Sequence, residues 1–388
     1  MRLHLLLPQV KPAALTPPTT CPTPDCPGTT FRFHQAVRKP LRDTRYTFVP
    51  AARYQCLTCH HTFRVYPVGV SAAQTSQRVR GLAVMFYLLG LSYGATALAL
   101  DALGLPLAKS TIYEAVQAAA AGLPDLQQRA VFAGLRTPAV GADLTSVLCN
   151  GEWLTLGLAV DAVRGLTLSI DLLEGSDAAT IQAWLAPIVD AVGAELVVTD
   201  DADSMKQAVD GLGLTHQVCK THVRRNTDAL VAELTAQVVG DPDGSLGAIG
   251  VSVEQAQADL WRLGEVVRER QPEQAYEVDR LHQRYKDAAP PGKGAKWSVA
   301  YRLRQLFLDR ANLWSRLTRY RRWVGPAGEQ IDGTNNASER GIGWWIKERY
   351  RPMRGYKRAA SAVGVSRLVA WAGNALGGPG ANLAAVLG

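Results

Sequence analysis

Cysteine is scarce in this chain, six in 388 residues, and it is not spaced like a secreted disulfide scaffold: four cysteines precede residue 60, while Cys149 and Cys219 stand alone. A reducing cytoplasm is the expected setting. Charge is also sparse, 20% of residues against 47% hydrophobic, which excludes a solvated disordered chain and predicts two to four domains with their own cores. Long apolar runs are nearly lacking. The opening MRLHLLLPQVKP is too short and is broken by Pro8, so it is not expected to be a signal peptide. Residues 81–100, GLAVMFYLLGLSYGATALAL, are the one charge-free stretch of membrane-spanning length, but Gly, Ser, Tyr and Thr dilute it and no second span follows. Two buried helices and no membrane are expected instead.

Acidic residues are outnumbered, with net charge +8 and pI near 9.2. Between Lys293 and Arg358 sixteen Lys or Arg face five Asp or Glu, so the excess is local and points to a polyanionic partner. Residues 1–70 read as a Pro-rich leader followed by a small metal-bound module. Cys21/Cys26 and Cys56/Cys59, at C-x4-C and C-x2-C spacing, would hold one structural Zn2+ between short strands as a zinc ribbon, with His60 and His61 as exposed neighbours. Residues 71–132 are helical in pattern and resemble helix-turn-helix architecture. Ser110 or Thr111 is expected to cap a last helix bearing Lys109 and Tyr113, and these four residues are the candidates for DNA contact.

From residue 133 to 226 the pattern is α/β. VGADLTSVL, EWLTLGLAVD and GLTLSIDLL read as three successive antiparallel strands. A helix capped by Ser176 or Asp177 follows, then the strand ELVVTDD, the helix SMKQAVDGL and a short strand HQVCKTHV. This is a ribonuclease-H-like mixed sheet. Residues 227–325 form amphipathic helices whose Trp261, Trp297, Trp314 and Trp323 are mostly expected in the core, an all-helical insertion. Residues 326–388 return to the α/β domain, closed by an apolar helix around 359–372.

Three carboxylates carry the chemistry. Asp143 lies within the first strand, Asp200 at the end of another, and Glu339 near the start of a basic helix. Adjacent strands and a facing helix can bring such residues onto two Mg2+ or Mn2+ ions about 4 Å apart, the apparatus of in-line phosphodiester transfer. Asn335 or Asn336 would cap the Glu339 helix, and Arg340 would steer phosphate. Asp161 is the substitute for Asp143, although a hairpin turn accounts for it; Asp201 and Asp203 read as loop or capping residues. The basic run Arg349, Arg351, Arg354, Lys357 and Arg358, interleaved with Trp344, Trp345, Tyr350 and Tyr356, reads as a DNA track.

At TDDADSMKQAV, TNNASERGIGWWIKERYRPMRGYKR and HQVCKTHVRRN the chain resembles the DDE-class transposases of bacterial insertion sequences, including those related to mutator-like elements. The resemblance covers the whole chain. It implies Asp143, Asp200 and Glu339 as the catalytic triad, Cys219 and His222 as accessory residues, and DNA as partner, both the transposon's terminal inverted repeats and the target. It also implies a homodimer or larger assembly associated with the nucleoid. The rivals are a catalytically silent DNA-binding regulator and a ribonuclease-H-like nuclease that cuts without joining.

Overall fold

A computed structural model describes residues 5–124, 136–353, 355–375 and 381–387. The fold is mixed α/β with mixed sheets. It divides into two compact units, one made of Met1–Ala133, Val147–Glu152 and Trp344–Gly388, the other of Gly134–Ser146 and Trp153–Gly343. The boundary expected at residues 132 and 133 lies outside the described residues.

The first unit opens with strand β1 (Leu5–Leu6) and an antiparallel sheet of β2 (Phe31–Pro40), β3 (Phe48–Cys56) and β4 (Thr62–Val65). Three helices follow: α1 (Gln77–Leu88), α2 (Tyr93–Ala102) and α3 (Lys109–Ala121). Ser76 and Ser92 cap α1 and α2, each accepting a first-turn backbone N–H. The charge-free run 81–100 is divided between α1 and α2, and no described helix is long and apolar enough to cross a membrane. The expected cap of α3 is corrected. The helix begins at Lys109 behind Ala108, without a side-chain cap, because Leu105 and Ile112 both reach the core around Val79, Ala83 and Leu100. Ser110 and Thr111 therefore lie in its first turn.

The second unit holds β5 (Ala139–Cys149) up to Ser146, β6 (Glu152–Asp161) from Trp153, β7 (Thr167–Leu173), α4 (Ala178–Val192), β8 (Leu196–Thr199), α5 (Asp203–Gly211) and β9 (Thr215–Val218). Asn150 and Gly151, both at positive φ, turn β5 into β6. The strand order is β7-β6-β5-β8-β9: β7 pairs antiparallel with β6, whereas β8 runs parallel to both β5 and β9. Buried side chains such as Ile181, Leu185, Val197 and Met205 fill the space between this sheet and α4 and α5. Asp177 caps α4 through a 3.0 Å bond from Thr180 N–H, and the helix runs on through Pro187.

The helical block consists of α6 (Lys220–Val238), α7 (Ser245–Ala248), α8 (Val253–Glu269), α9 (Ala275–Tyr285) and α10 (Val299–Leu317) around one apolar core. Two expectations are corrected. HQVCKTHV is not all strand: β9 stops at Val218, Cys219 is the N-cap of α6 and His222 sits in its first turn. The stripe Val223, Leu234 and Val238 faces the insertion core, so helix periodicity takes over earlier than the sequence indicates. Trp314 is buried, but Trp261 and Trp297 are exposed.

Helix α11 (Asn336–Gly341) runs into a π-helical turn over Ile342–Lys347 and then α12 (Glu348–Met353). Helix α13 (Ala359–Asn374) and β10 (Ala381–Asn382) complete the first unit, β10 pairing in parallel with β1. The expectation that an apolar helix around 359–372 closes the α/β domain is corrected. Val365 and Leu368 of α13 join Val84, Tyr87, Ala115, Val116 and Ala119 in the core of the first unit.

Candidate functional site

Parallel pairing of β5 with β8 sets Ala139 against Leu196, Val140 against Val197 and Gly141 against Val198. Asp143 lies two residues beyond Gly141 on β5, and Asp200 two residues beyond Val198, just past the end of β8 at Thr199. Both are half-buried. Asp143 Oδ1 accepts the Leu144 N–H at 2.8 Å, and Asp200 Oδ1 accepts the Ala202 N–H at 3.2 Å.

The segment carrying Glu339 is fastened to β5. A Cβ at Gly141 would lie 2.7 Å from Ser338 Oγ and 3.2 Å from Asn335 Oδ1, so glycine is what lets α11 approach the strand. Asn335 Nδ2 donates to the carbonyl of Ala142 at 3.0 Å, one residue before Asp143, and its backbone N–H donates to Cys219 Sγ at 3.3 Å. Asn335 precedes α11 but makes no side-chain cap bond, and Asn336 is exposed in its first turn. Asn335 does hold the N-cap position, its carbonyl accepting the Glu339 N–H at 3.0 Å, but its side-chain amide is engaged on the strand instead of capping. Arg340 is exposed, its Nε donating to Asn336 O at 3.3 Å.

Cys219, His222 and Glu339 come together, each offering one donor atom within 4.8 Å of the others. His222 Nδ1 lies 3.7 Å from Glu339 Oε1. Asp161 is fully buried at the end of β6. Its Oδ1 accepts from Val163 N and Arg164 N, and its Oδ2 from Arg164 Nη1 and Thr137 Oγ1, so the turn accounts for all of its capacity. Asp201 and Asp203 are ion-paired to Lys206 at 3.2 and 2.9 Å. Burial pulls the Lys206 ammonium down, but these two carboxylates outweigh it and raise its pKa.

Sequence reading missed the support behind Asp200. His216 Nδ1 lies 3.0 Å from Arg316 Nη1 and its Nε2 lies 2.9 Å from Thr199 Oγ1, which donates to Asp200 O at 2.8 Å. Burial first, and the Arg316 charge second, push His216 down to about 3. The ring is therefore neutral. Because arginine only donates, Nδ1 accepts and Nε2–H donates to Thr199. Gly141 was missed too, although a lone glycine inside a strand pattern is a signal for close approach.

In the first unit, Cys21, Cys26, Cys56 and Cys59 cluster within metal-binding distance. Cys21 and Cys59 sulfurs are 3.7 Å apart and Cys26 and Cys56 sulfurs 3.9 Å, close to the edge of about 3.8 Å for a tetrahedron with zinc–sulfur bonds of about 2.3 Å. The set is compatible with a zinc site. The Cys59 amide pulls the Cys56 thiol down to about 6 against burial, with help from the Thr58 amide. Gly28 passes so close that a Cβ there would clash with Cys56 Sγ. His60 and His61 are exposed and lie outside the cluster.

The sequence-predicted DNA contacts divide. Lys109, Ser110, Tyr113, Lys357 and Arg358 line one cavity of about 680 Å³, and Arg358 Nη1 donates to Tyr113 Oη at 3.4 Å. Thr111 is half-buried and Arg351 exposed. Arg349 lines the same cavity but is mostly buried, with its guanidinium 3.7 Å above the Tyr87 ring and Nη2 donating to Leu91 O at 2.7 Å, so it packs as well as faces the cavity. Tyr356 is buried and Tyr350 Oη accepts the Leu148 N–H, leaving Trp344 as the exposed aromatic of that run. Arg354 lies outside the described residues. The chain matches no model of a known protein family and no curated protein sequence.

Proposed function

We propose that the chain is a DDE-class DNA transposase with a ribonuclease-H-like catalytic unit, which cleaves transposon-end phosphodiesters and directs the freed 3′-hydroxyl onto target DNA. One observation carries this reading. Asp143 lies on β5 and Asp200 directly follows β8, the parallel strand paired with β5, while the segment bearing Glu339 is bonded to the residue beside Asp143. The sheet, with an antiparallel pair continued by parallel strands, agrees with the ribonuclease-H-like expectation.

Asp143, Asp200 and Glu339 would offer Mg2+ or Mn2+ the hard oxygen donors it takes, with Glu339 also lying against Cys219 and His222. Such ions, when bound, supply charge neutralisation at the phosphate and a more acidic nucleophile. The chain's own part is positional. Asn335 and Gly141 hold the Glu339 helix on β5, and the Arg316–His216–Thr199 relay fixes the backbone of Asp200. The lysines and arginines around the cavity of the first unit would bind DNA phosphates, and two DNA ends would require a homodimer or larger assembly.

The test is incubation of the full chain with Mg2+, a DNA end from its own element and a supercoiled target. Cleavage and joined products, both lost in Asp143→Asn, Asp200→Asn and Glu339→Gln, are the expected result. DNA binding without nicking, in Mg2+ or Mn2+, would make the chain a silent regulator, and cleavage without joining would make it a nuclease.

A further inference from the structure

We infer that Cys219, His222 and Glu339 form a second transition-metal site, of the zinc class, distinct from the four-cysteine cluster. The three donor atoms all lie within 4.8 Å of one another, and the set of thiolate, imidazole and carboxylate is one that zinc or cobalt accepts and magnesium does not favour. Cys219 and His222 occupy the N-cap and third position of the nineteen-residue α6, so the C-x2-H spacing places both on its first turn.

Each ligand is already prepared. Cys219 is fully buried at the N-terminus of α6, and its sulfur accepts the Asn335 N–H at 3.3 Å. His222 Nδ1 is buried without a hydrogen-bond partner. It stands 3.7 Å from Glu339 Oε1, too far for a hydrogen bond yet near the edge of about 3.4 Å expected for nitrogen and oxygen on one tetrahedral ion. A metal satisfies that orphan nitrogen, and small side-chain rotations close the remaining gap. Three protein ligands leave a fourth position for water or a phosphate oxygen, the pattern of an open rather than a purely structural zinc site.

The inference rests on these atoms and not on the transposase reading, and its test needs no DNA. The full chain, purified without chelator and dialysed against metal-free buffer, is assayed for zinc by mass spectrometry. Two zinc per chain are expected, falling to one in Cys219→Ser and in His222→Ala, with Cys56→Ser removing the other. Cobalt substitution of the unaltered chain covers the case in which a variant fails to fold. The second equivalent should show four-coordinate d–d bands with roughly a quarter of the thiolate charge-transfer of the first, one sulfur against four. One zinc per chain, unchanged in His222→Ala, and a single cobalt equivalent of four-thiolate character would overturn the site. Either result leaves the cleavage assay to decide the function.

Discussion

Asn335 Nδ2 donates to the carbonyl of Ala142 across 3.0 Å, tying the approach to the Glu339 helix onto the strand that bears Asp143. The same residue's N–H reaches Cys219 Sγ, so one buried side chain and its backbone join three segments. Asn335→Ala removes this buried bond to the Ala142 carbonyl. A loss of about 1–3 kcal/mol is expected by urea unfolding, together with a fall in DNA cleavage larger than in a destabilised variant of the helical block.

Gly141 and Ser338 should be coupled. Gly141→Ala drives a methyl group to 2.7 Å from Ser338 Oγ and 3.0 Å from Val160 Cγ2, and a cost of roughly 1–3 kcal/mol follows from overpacking. Ser338 Oγ is itself buried without a partner, so Ser338→Ala alone should be neutral or stabilising. Combined, the two changes should recover part of the Gly141→Ala loss, measured as a non-zero interaction in a double-mutant cycle.

Acid should destabilise the second unit through His216. Its pKa is depressed in the folded protein, so the unfolded chain binds the extra proton. Stability is complete above the unfolded value near 6.5 and is lost as pH falls from there towards about 3. Between pH 7 and pH 5 this one group should remove about 2 kcal/mol. Comparing unfolding midpoints of the parent and His216→Gln at both pH values isolates it: an equal pH slope in the two proteins would discard the account.

Arg349 and Arg351 should separate cleanly although they are two residues apart. Arg349→Ala removes a buried guanidinium from Tyr87 and Leu91, with a stability loss of roughly 2–3 kcal/mol in thermal unfolding. Arg351→Ala should unfold like the parent and, if the exposed arginine contacts phosphate, bind DNA more weakly with a salt slope reduced by about 1.

Removal of zinc from the four-cysteine cluster with a strong chelator should open the β2–β4 sheet to protease between residues 20 and 65, while the α/β unit stays resistant. Digestion followed by mass mapping reads this directly. Protection of the ribbon after complete demetallation would show that its strands hold without the ion.

Strands were legible where β-branched runs end in turn residues, as in β6 and β8, and so was the Asp177 cap, because these signals are local. The cysteine pairs were legible because spacing alone constrains a tetrahedral site. What stayed hidden depends on partners distant in sequence. Periodicity shows that α13 has an apolar face but not that α1 and α3 cover it. Arg349 carries the same letter whether it lies over Tyr87 or faces solvent, and the Trp261 and Trp297 indoles are exposed although their helices are well packed. His222 looked like strand because β9 ends at Val218 and α6 starts at Lys220, with only Cys219 between them.

The pairing of Leu5–Leu6 with Ala381–Asn382 has a consequence for biosynthesis. Leu5–Leu6 leave the ribosome long before their mates at Ala381–Asn382. The sheet-bearing unit, whose residues are all translated by position 343, can assemble first. Completion of the unit that holds the four-cysteine cluster must wait until Ala381–Asn382 have been made, well after that point.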